Sequence, residues 1–111
     1  MYMNKEQQIL NYSNPKKVFK NLRIIFPNEE FEFKISTRKD KKYMVRGDFT
    51  NNKWVHYGQM GYSDYTHHKD ENRRDNFITR NWKWQNRPPN TPSYLSFHSL
   101  WNEYIGIKIL P

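Results

Sequence analysis

The sharpest constraint in this sequence lies at Pro27, where the hydrophobic period changes. Before it, in NPKKVFKNLRIIFP, Val18, Phe19, Leu22, Ile25 and Phe26 recur at helical spacing. After it, Phe31, Phe33 and Ile35 alternate with Glu32, Lys34 and Ser36. No single element satisfies both periods, so the chain must pass from an amphipathic helix to a half-buried strand at this point. The flanking residues agree. Asn14 is a good N-cap, Pro15 suits the first helical position, and Pro27 cannot continue a helix.

The strand is followed by two more. TRKDK makes a charged turn into the strand KYMVRGDF, and TNNK makes an Asn-Asn turn that tolerates positive φ before the strand KWVHYG. From Asp70 to about Asn86 the pattern becomes helical again, with Asp70 as cap and Pro88-Pro89 as stop. Thr91 and Pro92 then open a last helix, in which Tyr94, Phe97, Trp101, Tyr104 and Ile105 repeat at helical spacing up to Gly106, and IKIL adds a short strand or an apolar tail. The fold expected is α+β: a three-stranded antiparallel meander packed by two C-terminal helices, with a short N-terminal helix. Residues 1–13 show no clear period and read as a flexible N-terminal arm, leaving 14–111 as a single domain. The side of the 70–86 helix carrying Phe77, Ile78, Trp82 and Trp84 is expected to face the sheet.

Composition decides what such a fold can be filled with. Alanine is absent, while Phe, Tyr and Trp make 17% of the chain, so the core must be built from large rings with polar handles. A mean hydropathy of −1.15 would suit a disordered chain, but disordered chains are poor in aromatics and this one is rich in them. With no cysteine, neither a disulfide nor a thiolate metal site can form. MYMNKEQQIL lacks the apolar stretch of a secretory signal, and no apolar run reaches spanning length, so the expectation is a chain that is not secreted and has no membrane partner.

A net charge of +8 attracts polyanions. On a helix over 69–87, Lys69, Arg73, Asn76, Arg80, Lys83 and Arg87 fall at steps of four and three, and Asp70, Glu71 and Asp75 lie off that stripe. One cation per turn on a rigid rod is what a phosphate backbone can use, though solvated charged faces are common on basic proteins. Arg38, Lys39, Lys41 and Lys42, flanked by Lys34 and Arg46, form a second cluster on the first hairpin, where lysines also serve to keep a sheet edge soluble. Whether the two clusters share a face depends on the fold. Tyr43, Trp54, Tyr57, Tyr62 and Tyr65 are candidate platforms for bases, and equally candidates for the core.

Sharper chemistries find less support. Gly58 and Gly61 in GQMG fit a sharp turn with positive φ better than the backbone clamp of a KH domain, which joins two helices. His67 and His68, with His56, Asp64, Asp70 and Glu71, are weak candidates for a metal or hydrolytic site, because adjacent histidines point apart and Asp70 is wanted as a cap. No catalytic set and no cofactor is assigned. A divalent-metal nuclease stands third among the readings.

The stretches ISTRKDKKYMVRG, VHYGQMGYSDYTHHKDENRRDNFITR and TPSYLSFHSLW, over residues 35–101, resemble a family of small, basic, uncharacterised proteins of large nucleocytoplasmic DNA viruses, with related sequences in phages. Ser36, Thr37, Arg38 and Lys39 match its basic lead-in. His56, Gly58, Gly61, Asp64, Tyr65, His68, Lys69, Asp70, Arg73 and Arg74 match its centre, and Arg80 a later arginine. Asn81 stands where relatives often carry histidine. WVHYGQMG is also similar, more faintly, to the WGR domain, a DNA-end-binding module of poly-ADP-ribose polymerases, although the Trp-Gly-Arg triplet is missing. The viral resemblance implies virion or genome association, in the particle or the infected-cell cytoplasm or nucleus, and no catalytic residues. The function expected first is non-enzymatic nucleic-acid binding, DNA ahead of RNA, through the basic helix. The alternative is a minor structural protein of a viral particle that binds capsid or core proteins.

Overall fold

A computed structural model of the chain describes residues 3–102. In chain order these form α1 (Lys5–Ile9), α2 (Pro15–Ile25), β1 (Phe31–Ile35), β2 (Lys41–Gly47), β3 (Val55–Gln59), α3 (Tyr65–His68), α4 (Glu71–Asn81) and α5 (Pro92–Leu95). The last of these continues without a break into a π-helical stretch, Ser96–Trp101. The strands pair antiparallel in the order β1-β2-β3, the expected meander. The fold is α+β, a three-stranded sheet packed by helices.

The local reasons are those in the sequence. Asn14 caps α2 by accepting from the Lys17 N–H, with Pro15 at the first position. Asp48–Thr50 make a 3₁₀ turn, after which Asn51 and Asn52 take φ of 57° and 59°, the left-handed region Asn tolerates. Asp70 caps α4, accepting from Asn72 and Arg73, and Thr91 caps α5 ahead of Pro92. The expected continuation of the final helix through Tyr104 and Ile105, and the IKIL strand, fall outside the described residues. Within them, the π-helical stretch ends at Trp101 and Asn102 is extended.

Register places the rings on one face of the sheet. Phe33 lies opposite Val45, Ile35 opposite Tyr43, and Tyr43 opposite Tyr57. Across this face α2 lays Val18 and Leu22, both fully buried, and Phe19, whose ring is 5.7 Å from Phe31 and 6.0 Å from Phe33. The final helix supplies Leu95 and Leu100. Phe26 stacks on Phe49 at 3.8 Å, an aromatic pairing that adds about 0.5–1.5 kcal/mol beyond the area it buries. A core without alanine is thus closed by rings.

Two expectations are corrected. Residues 4–13 do not behave as a flexible arm: α1 has its own capping box at Asn4, Ile9 is fully buried in the core, and the Lys5 ammonium donates to the Ser36 and Arg38 carbonyls at 2.6 Å each. One buried isoleucine and one lysine in five residues are too sparse to give a readable period, yet they suffice to dock the segment. The apolar side of α4 does not rest on the sheet. Phe77 stacks face to face on Trp101 at 4.3 Å, Trp84 meets Phe77 edge-on, and Trp82 is 52% exposed. Arg74 locks the same contact, donating from Nε to the Trp101 carbonyl and from Nη2 to Asn102 Oδ1. So α4 is a second layer, stacked on the last helix.

The layers are pinned by a buried polar network. Lys42 Nζ donates to Asp64 Oδ2 at 3.0 Å and to the Tyr62 carbonyl at 2.6 Å, and both side chains of the pair are 2% exposed. Asp64 also receives the Thr66 N–H and hydroxyl. Thr66 Oγ1 lies 3.3 Å from Ser13 Oγ and accepts from the Asn14 N–H, while the Tyr43 hydroxyl donates to Ser13 Oγ at 2.6 Å. Burial raises the Tyr43 phenol well above its ordinary pKa, so it remains a donor. Removing one partner of a buried ion pair strands the other charge, at a cost of about 3–5 kcal/mol. Asp64→Ala is therefore expected to lower the unfolding free energy by that order, read as a lower urea midpoint, and the Lys42→Met/Asp64→Leu double variant to recover part of it. A midpoint unmoved in Asp64→Ala would show that the pair does not hold the layers together.

Candidate nucleic-acid interface

The stacking of α4 on the last helix leaves a cleft of about 730 Å³ between α4 and the ends of β2 and β3. One wall is α4 and the turn after it, with Arg73, Asn76, Phe77, Arg80 and Trp84. Facing them are Lys41 and Gln59 from the sheet and Tyr62 from the loop that follows β3. The final helix contributes Ser93, Ser96, Leu100 and Trp101, and the Lys42–Asp64 pair borders the interior.

Local backbone chemistry shapes that cleft. Gly58 sits at φ 82°, a conformation that favours glycine, and a Cβ there would come within 3.3 Å of Leu100 Cδ1 and of Lys42 Cβ, so a larger residue would crowd the contact between the final helix and β3. Gly61, at φ 89°, turns the chain into the loop that carries Tyr62. The wider π-helical turn at Ser96–Trp101 lets the Asn102 N–H reach back five residues to the Phe97 carbonyl, and the Ser99 hydroxyl donates to the Leu95 carbonyl. Ser99 Oγ lies 2.9 Å from the Tyr57 hydroxyl, which fixes the final helix against β3.

The electrostatics favour an anion. Asp64 is the one carboxylate among the described residues of the lining, and Lys42 neutralises it. Lys41, Arg73 and Arg80 face the same space, and no carboxylate among the described residues pairs with any of them. The hairpin and helix clusters therefore do meet, through Lys41.

The remaining sequence candidates are distributed differently. Lys42 cannot serve a phosphate, being buried on Asp64. Lys69 is not on α4: at φ 56° it is the left-handed cap of α3, exposed, one residue before the α4 N-cap. Lys83 and Arg87 leave the stripe because the α-helix ends at Asn81, whose side chain donates to the Phe77 carbonyl and whose backbone turns to φ −120°, ψ 24°. The chain tightens to a 3₁₀ helix over Trp82–Asn86, Lys83 lies 5.9 Å over Trp82, and Arg87 is extended. Arg38, beside Asp40 at 3.6 Å, and Lys39 stand exposed on the turn, outside the cleft lining.

Among the aromatic candidates, Tyr43 and Tyr57 are fully buried, and Tyr65 is core, its hydroxyl on Glu71 and its ring under Arg74 at 5.4 Å. Trp54 is half-buried elsewhere, beneath Arg46 at 4.6 Å and Lys34 at 5.5 Å. Tyr62 is the exception, 68% exposed at the cleft. The sequence reading missed Gln59, Ser93 and Ser96 as lining residues, and no periodicity marks them.

Neither histidine of the 67–68 pair points to a metal. His67 is exposed, while His68 packs between Tyr65 and Trp101 and accepts the Asp70 N–H at Nδ1. Asp64 and Asp70 are engaged as cap and ion-pair partner, and among the described residues no three His, Asp or Glu side chains gather.

Residues 31–81, just under half the chain and running from β1 to the end of α4, match DUF5754, a family of unknown function. No curated protein and no solved structure matches the chain. The matched segment holds Lys41, Tyr62, Arg73 and Arg80, but neither α2 nor the final helix that complete the core and the cleft.

Three imidazoles are held below their ordinary pKa, first of all by burial. Burial lowers His68, with the Arg73 charge adding to it, and burial lowers His98, whose Nε2 lies 3.1 Å from the Gln85 carbonyl. His56 is lowered by burial and then by Arg38 and Lys5. An imidazole depressed below its ordinary 6.5 takes up protons more readily in the unfolded chain, so its contribution to stability is complete above that value and lost as pH falls beneath it. Urea unfolding is expected to show a lower midpoint at about pH 5 than at about pH 7.5, with the gap narrowed in His68→Gln/His98→Gln. A wild-type midpoint that holds level or rises toward acid contradicts this.

Proposed function

We propose that this chain is a small, non-enzymatic nucleic-acid-binding protein that grips phosphates at the α4 cleft. The observation that carries the reading is the meeting of three cations from two elements, Lys41 from β2 and Arg73 and Arg80 from α4, around an aromatic-walled cleft whose one carboxylate is already neutralised. Unopposed cations held on a rigid frame attract a polyanion and need little reorganisation to hold it. Lys69, Lys83, Arg87, Arg38 and Lys39 supply an outer field, and the net charge of +8 adds long-range attraction. The motif resemblance to proteins of large DNA viruses supplies the setting: association with a viral genome or particle, with DNA ahead of RNA as ligand.

Binding of this kind releases counterions. With three cleft cations on phosphates, log affinity is expected to fall by about 2–3 for each tenfold rise in salt, more if the outer lysines join. Arg73 and Arg80 are both exposed, so Arg73→Glu/Arg80→Glu should leave the circular dichroism spectrum and melting temperature unchanged. The same variant should lose binding to a labelled DNA at low salt by well over tenfold. Undiminished affinity in that folded variant removes the proposal.

A further inference from the structure

The cleft's shape says more than its charge. A duplex turns its phosphates outward and hides the faces of its bases, so it is met by a flat or convex basic surface, or by an element that enters a groove. Here α4 stacks one side on the final helix through Phe77 and Trp101, and its Arg73 and Arg80 line a concavity whose other side is Lys41 and Gln59 of the sheet. Concave, partly aromatic sites with a few placed polar groups suit an unstacked base.

Tyr62 carries the inference furthest. Its ring is 68% exposed beside the cleft, and no ring among the described residues stacks on it. Its backbone is nevertheless fixed, because its carbonyl accepts from the buried Lys42 ammonium at 2.6 Å. An exposed ring on an immobilised backbone is a platform made ready in advance, and it loses little freedom on stacking. Gln59 and Asn76, polar and exposed around the same space, can meet the edge of a base.

We propose that the cleft takes an unpaired nucleotide of a nucleic-acid strand, with its base on Tyr62 and its phosphate between Lys41 and the arginines of α4. Single strands are then the preferred ligand over duplex. The inference rests on the nucleic-acid reading above, and the two fail differently.

The test is fluorescence anisotropy at one fixed salt concentration, comparing a labelled single strand of about twelve nucleotides with the duplex of the same sequence. The single strand is expected to bind at least about tenfold more tightly. Tyr62→Ala should weaken it by about fivefold to a hundredfold while leaving duplex affinity unchanged, and Tyr62→Phe should retain it. The exposure of Tyr62 makes both variants expected to fold, with circular dichroism as the check. Equal affinity for the two forms, or no effect of Tyr62→Ala on the single strand, overturns this inference and leaves nucleic-acid binding standing. A free mononucleotide competing as strongly as the strand reassigns the cleft to a small nucleotide and overturns it as well. Binding to neither form removes both readings.

Discussion

An ammonium enclosed by protein governs this structure. Lys42 lies on a central strand, and a lysine there would ordinarily extend to water, since burying an unpaired charge is too costly. It is held because Asp64 and the Tyr62 carbonyl each accept a hydrogen bond from it, and because Asp64 is itself tied to Thr66. Through Thr66 and Ser13 the same network reaches Tyr43 and the N-terminal segment. One charge pair therefore sets where the loop after β3 runs, where α3 begins and how the first helices dock. A hydrophobic pair of similar volume could fill the space without these directional hydrogen bonds.

The consequence for the candidate interface is geometric. The network stations the loop carrying Tyr62 opposite α4, while Arg74 and the Phe77–Trp101 stack hold α4 on the final helix. Cations from distant parts of the chain are thereby brought around one concavity and kept apart from acids. The positioning residues, Lys42, Asp64 and Arg74, are charged, yet their work is to aim other side chains. Lys41, Arg73 and Arg80, which pair with no carboxylate among the described residues, line that concavity.

Much of the frame could be read from the sequence because it depends on local chemistry. The period switch at Pro27, the Asn14, Asp70 and Thr91 caps and the Asn51–Asn52 turn are properties of a few neighbouring residues, and each stands where expected. The misreadings are long-range. The fate of Lys42 depends on Asp64, twenty-two positions away, and the docking of the first helix on Ser36 and Arg38, over thirty positions away. The break of the basic stripe at Asn81 was hidden because a 3₁₀ turn carries the same residue types as an α-turn while rotating them differently. Periodicity puts Arg73 and Arg80 on one stripe, and both line the cleft. Nothing in the one-dimensional pattern separates Tyr62, an exposed ring beside the cleft, from Tyr65, a core residue three positions on.

The Asn21 side chain has a temporal meaning as well. From the middle of α2 it donates to the carbonyls of Ser99 and Asn102, seventy-eight and eighty-one positions downstream. On a ribosome this helix has no such partners until residues 99–102 have emerged, and contacts of this separation are slow to form because the closure entropy comes first. The rings that α2 and the sheet bury against residues 92–101 therefore stay uncovered on that side until this segment arrives. For a protein this rich in aromatics, the interval between synthesis and closure is its period of greatest exposure to aggregation.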